Sequence, residues 1–535
     1  MKTVLIKNAK IYQGKEQFAQ AALIENEIIR AVGTDEEMQK LAPQQAEVID
    51  AGGKTILPGF NDSHQHLMHV GKNLLTVNLY SCKSVEEMLE AGRAFLASHA
   101  LAEGEALAGW GWNQDYFEDR RLPDRRDLDK VAADRPVIFT RACGHILVCN
   151  TYALQAAHVW EALPQVEGGC FDLGEDGYPN GVVRENAKGH IYAIMPEPDQ
   201  AKLEELIASA MAYASSKGIT SVQTNDVSGE DFEEVLNAYG HLAESGKSTV
   251  RVYMQSCLME PQLLKNYLAA GHNTGRGSDM LKTGPLKLFV DGSLGARTAL
   301  MRRGYHDAPG TKGIATLTQD QLNALVQLAD ENGMQVAVHA IGDKAIEMVL
   351  DAYATVICDG KNPHRHGIVH CQITDEALLK RFAEMDIHAL VQPIFLHYDM
   401  HICEDRVGPE LTKTSYAFHT MDQLGLHVSY GTDSPVEDMD PIANIHCAVT
   451  RRDLKQQPKE GFVPEEKVDI WQAIEHYTQA GAYNSFEEQK KGCLQPGYLA
   501  DLVMLDQDIF HVPEEEILKT KVLMTMMGGN IVYRA

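Results

Sequence analysis

The pattern of apolar and polar residues at the two ends of the chain differs from the pattern in its middle. Near its start, short apolar runs broken by turn residues predict β-strands at 3–11, 21–24 and 28–32, and similar runs recur at 500–505 and 529–533. Between these ends, apolar strands alternate with longer segments in which apolar residues recur every three or four positions, as in helices. The pattern therefore predicts a small β-sandwich built from both termini, which brackets an α/β domain.

The α/β part contains eight apolar segments that we interpret as strands, and helical segments lie between several of them. Gly218, Gly333 and Gly425 each stand just before a strand, where the end of a helix favours glycine. Eight βα units fit a (β/α)8 TIM-like barrel, although periodicity alone also allows a doubly wound sheet. The predicted strands are 55–60, 220–224, 249–255, 286–290, 335–339, 367–370, 389–392 and 427–431.

One long segment does not follow this alternation. It is too long for a loop within a barrel, and it holds three of the four tryptophans. We interpret it as an inserted subdomain after the first barrel strand, which covers the active site. The predicted domains are a composite β-sandwich of 1–57 and 492–535, a barrel of 58–78 and 202–491, and the insertion 79–201.

Composition narrows the classes of function. The formal net charge of −27 argues against binding to nucleic acid or to an anionic membrane, because both need clustered Lys and Arg. No apolar run is long enough for a transmembrane helix or a signal peptide. The ten cysteines show no CxxC pairing, which is typical of reduced thiols. We therefore expect a cytoplasmic location.

Five residues at the ends of predicted strands could share a metal ion. His64 and His66 are two residues apart, so in extended backbone their side chains point to the same face. His339, His370 and Asp433 each end a later strand, and the active site of a barrel is built where its strands end. For His64 and His66 alone, two surface histidines at the end of a strand are an equal alternative, and each of the other three alone is better explained as a capping or core residue. Together the five predict a metal site. Imidazole and carboxylate suit zinc, and also iron, manganese or nickel.

This order of ligands resembles the amidohydrolase superfamily. More specific motifs resemble those of amidohydrolase family 3, the YtcJ-like group that includes N-substituted formamide deformylases. They lie at 287–299, 338–343, 431–435 and 497–503. Phrases of the insertion, such as Gly109-Trp-Gly-Trp-Asn113, also occur in the order usual for that family. The resemblance covers essentially the whole chain, and it implies a metal-dependent hydrolase of non-peptide C–N bonds. It also implies a small-molecule substrate and a homodimer.

The resemblance also implies a sixth ligand and a mechanism. In members with two metals, a lysine on the fourth strand is carboxylated and bridges both ions, and Lys287 occupies that place. The alternative is a lysine that pairs with Asp291 or reaches out of the barrel, with a single metal on fewer ligands. A metal-activated hydroxide would attack the substrate. Asp433 would act as base and then as acid, which is the role of this aspartate in the family.

Five further residues are candidates for substrate contact because they lie in motifs that resemble those of the family. Each has a structural alternative, such as core packing for Trp112 or a structural ion pair for Arg297. Asp291 could instead shape the turn after the fourth strand. The candidates are Trp112, His145, Glu185, Asp291 and Arg297.

Three functions remain open from the sequence. The first is hydrolysis of a C–N bond in an amide or formamide. The second is a deaminase or a lactone hydrolase on the same scaffold, since a fold does not fix its reaction. The third is a sensor or regulatory protein without catalysis, which would be expected to have lost ligand residues.

Overall fold

The computed structural model describes residues 2–99, 101–102, 104–142, 145–166, 168–195 and 198–535. It divides into two compact units, one of 1–69 and 207–535 and one of 70–206. Among the described residues, no helix is long and apolar enough to cross a membrane.

The chain begins with short strands and enters the barrel at β8. Helix α1 starts in a capping box, in which Thr34 and Glu37 bond each other's backbone N–H. The elements are β1 (Thr3–Lys7), β2 (Lys10–Gly14), β3 (Gln17–Ala19), β4 (Ala21–Glu25), β5 (Ile28–Gly33), α1 (Asp35–Leu41), β6 (Glu47–Asp50), β7 (Thr55–Pro58), β8 (Phe60–Gln65) and α2 (Leu67–Leu74).

The second unit follows, with its own six-stranded sheet. Its elements are β9 (Val77–Asn78), α3 (Val85–Ser98), β10 (Leu107–Trp112), α4 (Arg125–Leu128), β11 (Val137–Arg141), β12 (Ile146–Cys149), α5 (Thr151–Ala156), β13 (Gly169–Leu173), β14 (Pro179–Glu185), α6 (Lys188–Tyr192) and the start of α7 (Gln200–Ser216). The strand order is β13-β14-β12-β11-β10-β9. Neighbouring side chains such as Ile138 and Phe139 point to opposite faces, and each face buries a separate apolar core.

The barrel resumes after α7. Its elements are β15 (Ile219–Ser228), α8 (Phe232–Glu244), β16 (Arg251–Cys257), α9 (Pro261–Ala269), β17 (Leu281–Phe289), α10 (Gln319–Glu331), β18 (Val336–Ala340), α11 (Asp343–Tyr353), β19 (Gly367–His370), α12 (Glu376–Glu384), β20 (His388–Val391), α13 (Leu396–Asp399), α14 (Cys403–Thr412), α15 (Phe418–Gln423), β21 (Val428–Tyr430), α16 (Pro441–Thr450), α17 (Ile470–His476) and α18 (Gln479–Asn484). The last strands are β22 (Leu502–Leu505), β23 (Val522–Met527) and β24 (Asn530–Arg534).

Eight parallel strands form the barrel in the order β8, β15, β16, β17, β18, β19, β20 and β21. The (β/α)8 prediction is therefore confirmed, and so is the insertion after the first strand. Gly218, Gly333 and Gly425 take positive φ angles of 84°, 69° and 72°, as expected for glycines that end helices.

Both chain ends contribute to two further sheets, as predicted. The four-stranded sheet has the order β5-β4-β1-β6, and the six-stranded sheet has the order β24-β23-β22-β7-β2-β3. They share an apolar core that includes Val4 and Ile24 from one sheet and Ile56, Leu502 and Met526 from the other.

The predicted position of the first barrel strand was wrong. The apolar segment 55–58 is β7, which pairs with β2 and β22 outside the barrel, and the barrel strand is Phe60–Gln65. The chain passes from one sheet to the other at Gly59, where a Cβ atom would lie only 2.2 Å from the Thr220 side chain. Strand β8 is fully buried although most of its residues are polar, so a search for apolar runs does not find it.

Candidate metal centre

The carboxyl ends of five barrel strands carry the six predicted ligands. His64 and His66 lie at the end of β8, Lys287 in β17, His339 in β18 and His370 at the end of β19, while Asp433 follows β21. Ligand atoms of His64, His370 and Asp433 all lie within 4.8 Å of one another, and all three residues are buried. The strand order of the barrel thus brings together residues that are far apart in sequence.

Asp433 is the centre of this group. Its Oδ1 atom lies 3.4 Å from Nε2 of His64 and 3.3 Å from Nε2 of His66. Burial alone would raise the pKa of Asp433, but the two rings beside it, which donate to the carboxylate when they are protonated on Nε2, outweigh burial and hold the pKa well below its usual range. The aspartate is therefore an anion that faces two imidazole nitrogens.

The other ring nitrogens of three histidines bond to oxygen acceptors. Nδ1 of His64 lies 2.7 Å from Oε1 of Gln255, and Nδ1 of His370 lies 2.7 Å from Oε1 of Gln392. Nδ1 of His66 lies 3.0 Å from the backbone carbonyl of Asn225. Each ring therefore donates from Nδ1, and in its neutral form it keeps a lone pair on Nε2, which is how histidine binds metal with a supporting acceptor.

His339 has the opposite arrangement. Its Nε2 atom lies 3.1 Å from the carbonyl oxygen of Gly292 and 3.2 Å from Oδ1 of Asp291. The proton is therefore on Nε2, and Nδ1 keeps the lone pair. The His339 ring lies 4.4 Å from the His370 ring, between centroids, so His339 is a neighbour of the same group.

Burial keeps two of these rings neutral. It is the main cause that lowers the pKa of His64 to about 4, and the charge of Lys287 lowers it further. Burial is also the main cause that lowers the pKa of His370 well below its usual value, with His339 as the next cause. Neutral imidazoles beside a carboxylate are the chemistry that a divalent metal ion requires, so these residues fit such an ion.

Lys287 is fully buried in the barrel. Its Nζ atom lies 3.5 Å from the carbonyl of Leu288 and 3.7 Å from the centre of the Phe289 ring. In the part of the chain that the structure describes, no carboxylate oxygen lies within 4.0 Å of this amine, so the alternative pairing with Asp291 is not formed. Burial lowers the pKa of Lys287 to about 8, so a larger share of this amine is neutral near pH 7 than of an exposed lysine.

Comparison with known proteins identifies the family. The profile of the amidohydrolase family matches residues 47–533. This chain belongs to the amidohydrolase family. Its relatives include the YtcJ protein of Bacillus subtilis (strain 168), which is 31% identical over 96% of this chain and 96% of its own length. The N-substituted formamide deformylase of Arthrobacter pascens is 25% identical over 100% of this chain and 98% of its own length.

A solved structure supports the same assignment. An uncharacterized metal-dependent hydrolase from Pyrococcus horikoshii OT3 superposes with a TM-score of 0.79 and 28% identity, covering 96% of this chain and 99% of that one. Family membership and this neighbour together support hydrolase activity for this amidohydrolase.

The substrate candidates of the second unit are placed differently from one another. Trp112 is fully buried, and its Nε1 donates to the carbonyl of Phe139 at 2.8 Å, which favours a packing role. His145 and Glu185 are exposed and pair with each other at 2.8 Å. This exposed pair keeps both side chains accessible to a ligand.

The two candidates in the barrel unit bond to the protein itself. Asp291 is buried and accepts the backbone N–H groups of Leu300 and Gly342 at 2.9 and 2.8 Å, so it shapes the loop after β17. Arg297 pairs with Asp307 at 2.7 Å, which corresponds to the structural alternative.

A second cluster of metal-binding residue types lies at the other end of the barrel strands. Asp330, His364 and His366 have ligand atoms within 4.8 Å of one another. However, Nδ1 of His366 accepts the N–H of Val336 at 3.0 Å, so its proton must lie on Nε2, which faces Asp330 at 3.1 Å. No lone pair of His366 remains for a metal, and the cluster is better explained as a hydrogen-bond network.

Sequence reasoning missed the two glutamines that support the rings. Gln255 and Gln392 are the last residues of the predicted strands 249–255 and 389–392, so they stand at the same strand ends as the ligands. Both glutamines could have been identified as polar residues at the ends of apolar barrel strands, but only histidine and aspartate were interpreted in this way.

Proposed function

We propose that this amidohydrolase is a metal-dependent hydrolase that cleaves a non-peptide C–N bond, of amide or formamide type, and that zinc is its metal. The observation that carries the proposal is the convergence of His64, His370 and Asp433, with His66 beside them. The type of bond is supported by the relative from Arthrobacter pascens, which is an N-substituted formamide deformylase.

In each histidine ring, the nitrogen that does not donate a hydrogen bond is the atom that would bind the metal. His64, His66 and His370 would bind through Nε2, and His339 would bind through Nδ1, because the other nitrogen of each ring donates to an oxygen. Asp433 would supply a carboxylate oxygen. When bound, the metal would lower the pKa of a water molecule and polarise the substrate carbonyl as a Lewis acid.

Asp433 has the position of a general base and acid. As an anion beside Nε2 of His64 and His66, it can accept a proton from the attacking water. The same carboxyl group would then donate this proton to the nitrogen of the leaving amine as the C–N bond breaks. One residue would thus hold the proton between the two steps.

We propose further that Lys287 is carboxylated and that the enzyme holds two metal ions. The neutral amine of Lys287 would form a bond to the carbon of CO2 and release a proton, which gives a carbamate with two oxygen ligands. The supporting observation is that this fully buried amine has no carboxylate partner within the described residues. A negative carbamate shared by two cations would remove the cost of burying an unpaired ammonium group.

The test is hydrolysis of N-substituted formamides by protein stripped of metal and then reloaded. Formate release should be lost after chelation and restored by zinc. A panel of lactones and of amino-substituted heterocycles, assayed in parallel, separates the reaction classes. Metal-dependent turnover of lactones or of the heterocycles alone would contradict the C–N proposal in its formamide form, and failure to bind any metal would overturn the proposal as a whole.

A further inference from the structure

Two glutamines contact the candidate ligands without pointing at the metal position. Gln255 lies in β16 and Gln392 directly follows β20, and both are almost fully buried, at 0% and 3% exposure. Each places its Oε1 atom 2.7 Å from Nδ1 of a histidine, His64 for Gln255 and His370 for Gln392. The two contacts have the same length although the glutamines belong to different parts of the barrel.

The orientation of each amide group is fixed by a second hydrogen bond. Nε2 of Gln255 donates to the carbonyl of Ser63 at 3.1 Å, and Nε2 of Gln392 donates to the carbonyl of Leu390 at 3.1 Å. A carbonyl oxygen can only accept, so the NH2 group of each glutamine must face it. The Oε1 atom of each glutamine therefore faces the imidazole, and the imidazole must donate from Nδ1.

The remaining two histidines obtain the same support from the backbone. His66 bonds to the carbonyl of Asn225 and His339 to the carbonyl of Gly292, and no side-chain substitution can remove either backbone acceptor. Nε2 of His339 also faces Oδ1 of Asp291 at 3.2 Å. Among the four, only His64 and His370 take this support from a side chain without a backbone carbonyl beside it. This difference makes the contribution of the acceptor measurable by mutation.

We propose that Gln255 and Gln392 are positioning residues that hold His64 and His370 in the tautomer with a lone pair on Nε2, and that metal affinity depends on them. The inference rests on the metal centre of the proposed function.

The test compares metal affinity in variants of buried glutamines, measured by competition with a chromophoric zinc chelator on the full chain. Gln255→Leu and Gln392→Leu should each weaken zinc binding by about 10- to 100-fold, the range for loss of such a supporting acceptor. Gln255→Glu and Gln392→Glu keep an oxygen acceptor, and a protonated carboxyl group at these buried positions can still donate to the carbonyl of Ser63 or Leu390, so zinc binding should stay within about threefold of the parent protein.

Gln335→Leu is the matched control for a structural effect. Gln335 is equally buried, but it bonds to Tyr253 and to the carbonyls of Arg365 and Asn484, away from the candidate ligands. This variant should lower the melting temperature of the metal-free protein while leaving zinc affinity within about twofold of the parent.

The outcomes separate this inference from the function on which it rests. Leu variants at 255 and 392 that bind zinc as tightly as the parent would overturn the positioning role, and so would equal weakening in Gln335→Leu. Weak binding in the Glu variants as well would show that the amide is needed for packing and not as an acceptor. If the parent protein binds no metal, the proposed function fails first, and the inference fails with it.

Discussion

The backbone N–H of Asp433 donates to the carbonyl of His64 at 2.8 Å, so the last strand of the barrel is tied to the first at the two residues that face each other in the metal centre. Two residues further along, the N–H of His66 donates to the carbonyl of Ser434 at 2.8 Å. The seam that closes the barrel and the centre of the site are therefore the same place. A change in the seam should alter both stability and metal binding.

Gly431→Ala tests this coupling. A Cβ atom at Gly431 would lie 2.6 Å from the backbone nitrogen of His64 and 2.9 Å from its carbonyl oxygen. Backbone atoms cannot move aside as a side-chain end can, so the seam must widen, at a cost of about 1–3 kcal/mol. Urea unfolding of the metal-free protein should show this loss, and chelator competition should show weaker zinc binding.

Gly240→Ala is the control for the same substitution. Gly240 lies within α8, and a Cβ atom there would have no neighbour within 4 Å. Alanine in the middle of a helix should stabilise the protein by about 0.5–1 kcal/mol. If Gly431→Ala left both the stability and the zinc affinity of the parent protein unchanged, the seam would not control the site.

Asp433→Asn tests the acid–base role. The substituted asparagine would keep the left-handed backbone of this position, which has a φ of 55° and which asparagine adopts readily. The variant cannot accept the proton, so kcat should fall by about 100- to 10,000-fold with little change in melting temperature. His64→Asn should abolish hydrolysis through loss of a ligand.

Asp438→Asn is the matched control for Asp433→Asn. Asp438 pairs with Lys217 at 3.0 Å and is 52% exposed, so its loss should cost about 1 kcal/mol or less and leave turnover intact. Full activity in Asp433→Asn would show that the site is wrongly assigned.

How far the sequence predicted the site depends on the type of residue. His339 and His370 were found because they end apolar strands, and a barrel places such ends together. The predicted position of the first barrel strand was wrong because β8 is buried but consists mostly of polar residues, which bond to other buried groups, as Asp62 does to Thr432. A prediction based on apolar periodicity cannot detect such a strand.

Hydrogen-bond partners were beyond the reach of the sequence. The tautomer of His339 depends on the carbonyl of Gly292, a backbone atom whose position requires the folded loop after β17. Arg297 stands in a family-like phrase, yet its partner Asp307 is ten residues away in a loop of irregular structure. Sequence spacing predicts which strand ends meet, but not which of two nitrogens faces the centre.

Lys287→Ala tests the carbamate. Metal analysis of the purified parent should give about two ions per chain, and the variant should hold about one or fewer, because a bridging ligand is lost. Acetate at high concentration should restore part of the second metal, since it supplies a carboxylate to the vacated space. Two ions per chain in Lys287→Ala would contradict the proposed modification.

Lys491→Met separates loss of a ligand from loss of a buried lysine. The Lys491 side chain is buried, as that of Lys287 is, but it has a carboxylate partner in Glu487. This variant should lose stability and keep the metal content of the parent. Equal metal loss in both variants would assign the effect to general instability.

The same partner, Glu487, provides a pH-dependent test of stability in the barrel unit. It is buried between Lys282 and Lys491 and also accepts a hydrogen bond from Ser485 at 3.0 Å. Burial alone would raise its pKa, but the charges of Lys491 and Lys282 outweigh burial and lower the pKa to about 2. The folded state thus binds the proton less readily than the unfolded state does, so this group stabilises the fold above its ordinary pKa of 4.5 and loses that effect as the pH falls towards 2.

Glu487→Gln should therefore destabilise the protein by about 3 kcal/mol at pH 7, the free energy that corresponds to a pKa shift of this size. The difference from the parent should shrink by about 1 kcal/mol between pH 7 and pH 3.5, because the unfolded parent becomes protonated in that window. Urea unfolding at both pH values measures it. Glu410→Gln is the control, since the Glu410–Lys413 pair is 86% and 65% exposed and should contribute almost nothing at either pH. A Glu487→Gln penalty that stayed constant or grew towards pH 3.5 would show that the glutamate acts through packing and not through its charge.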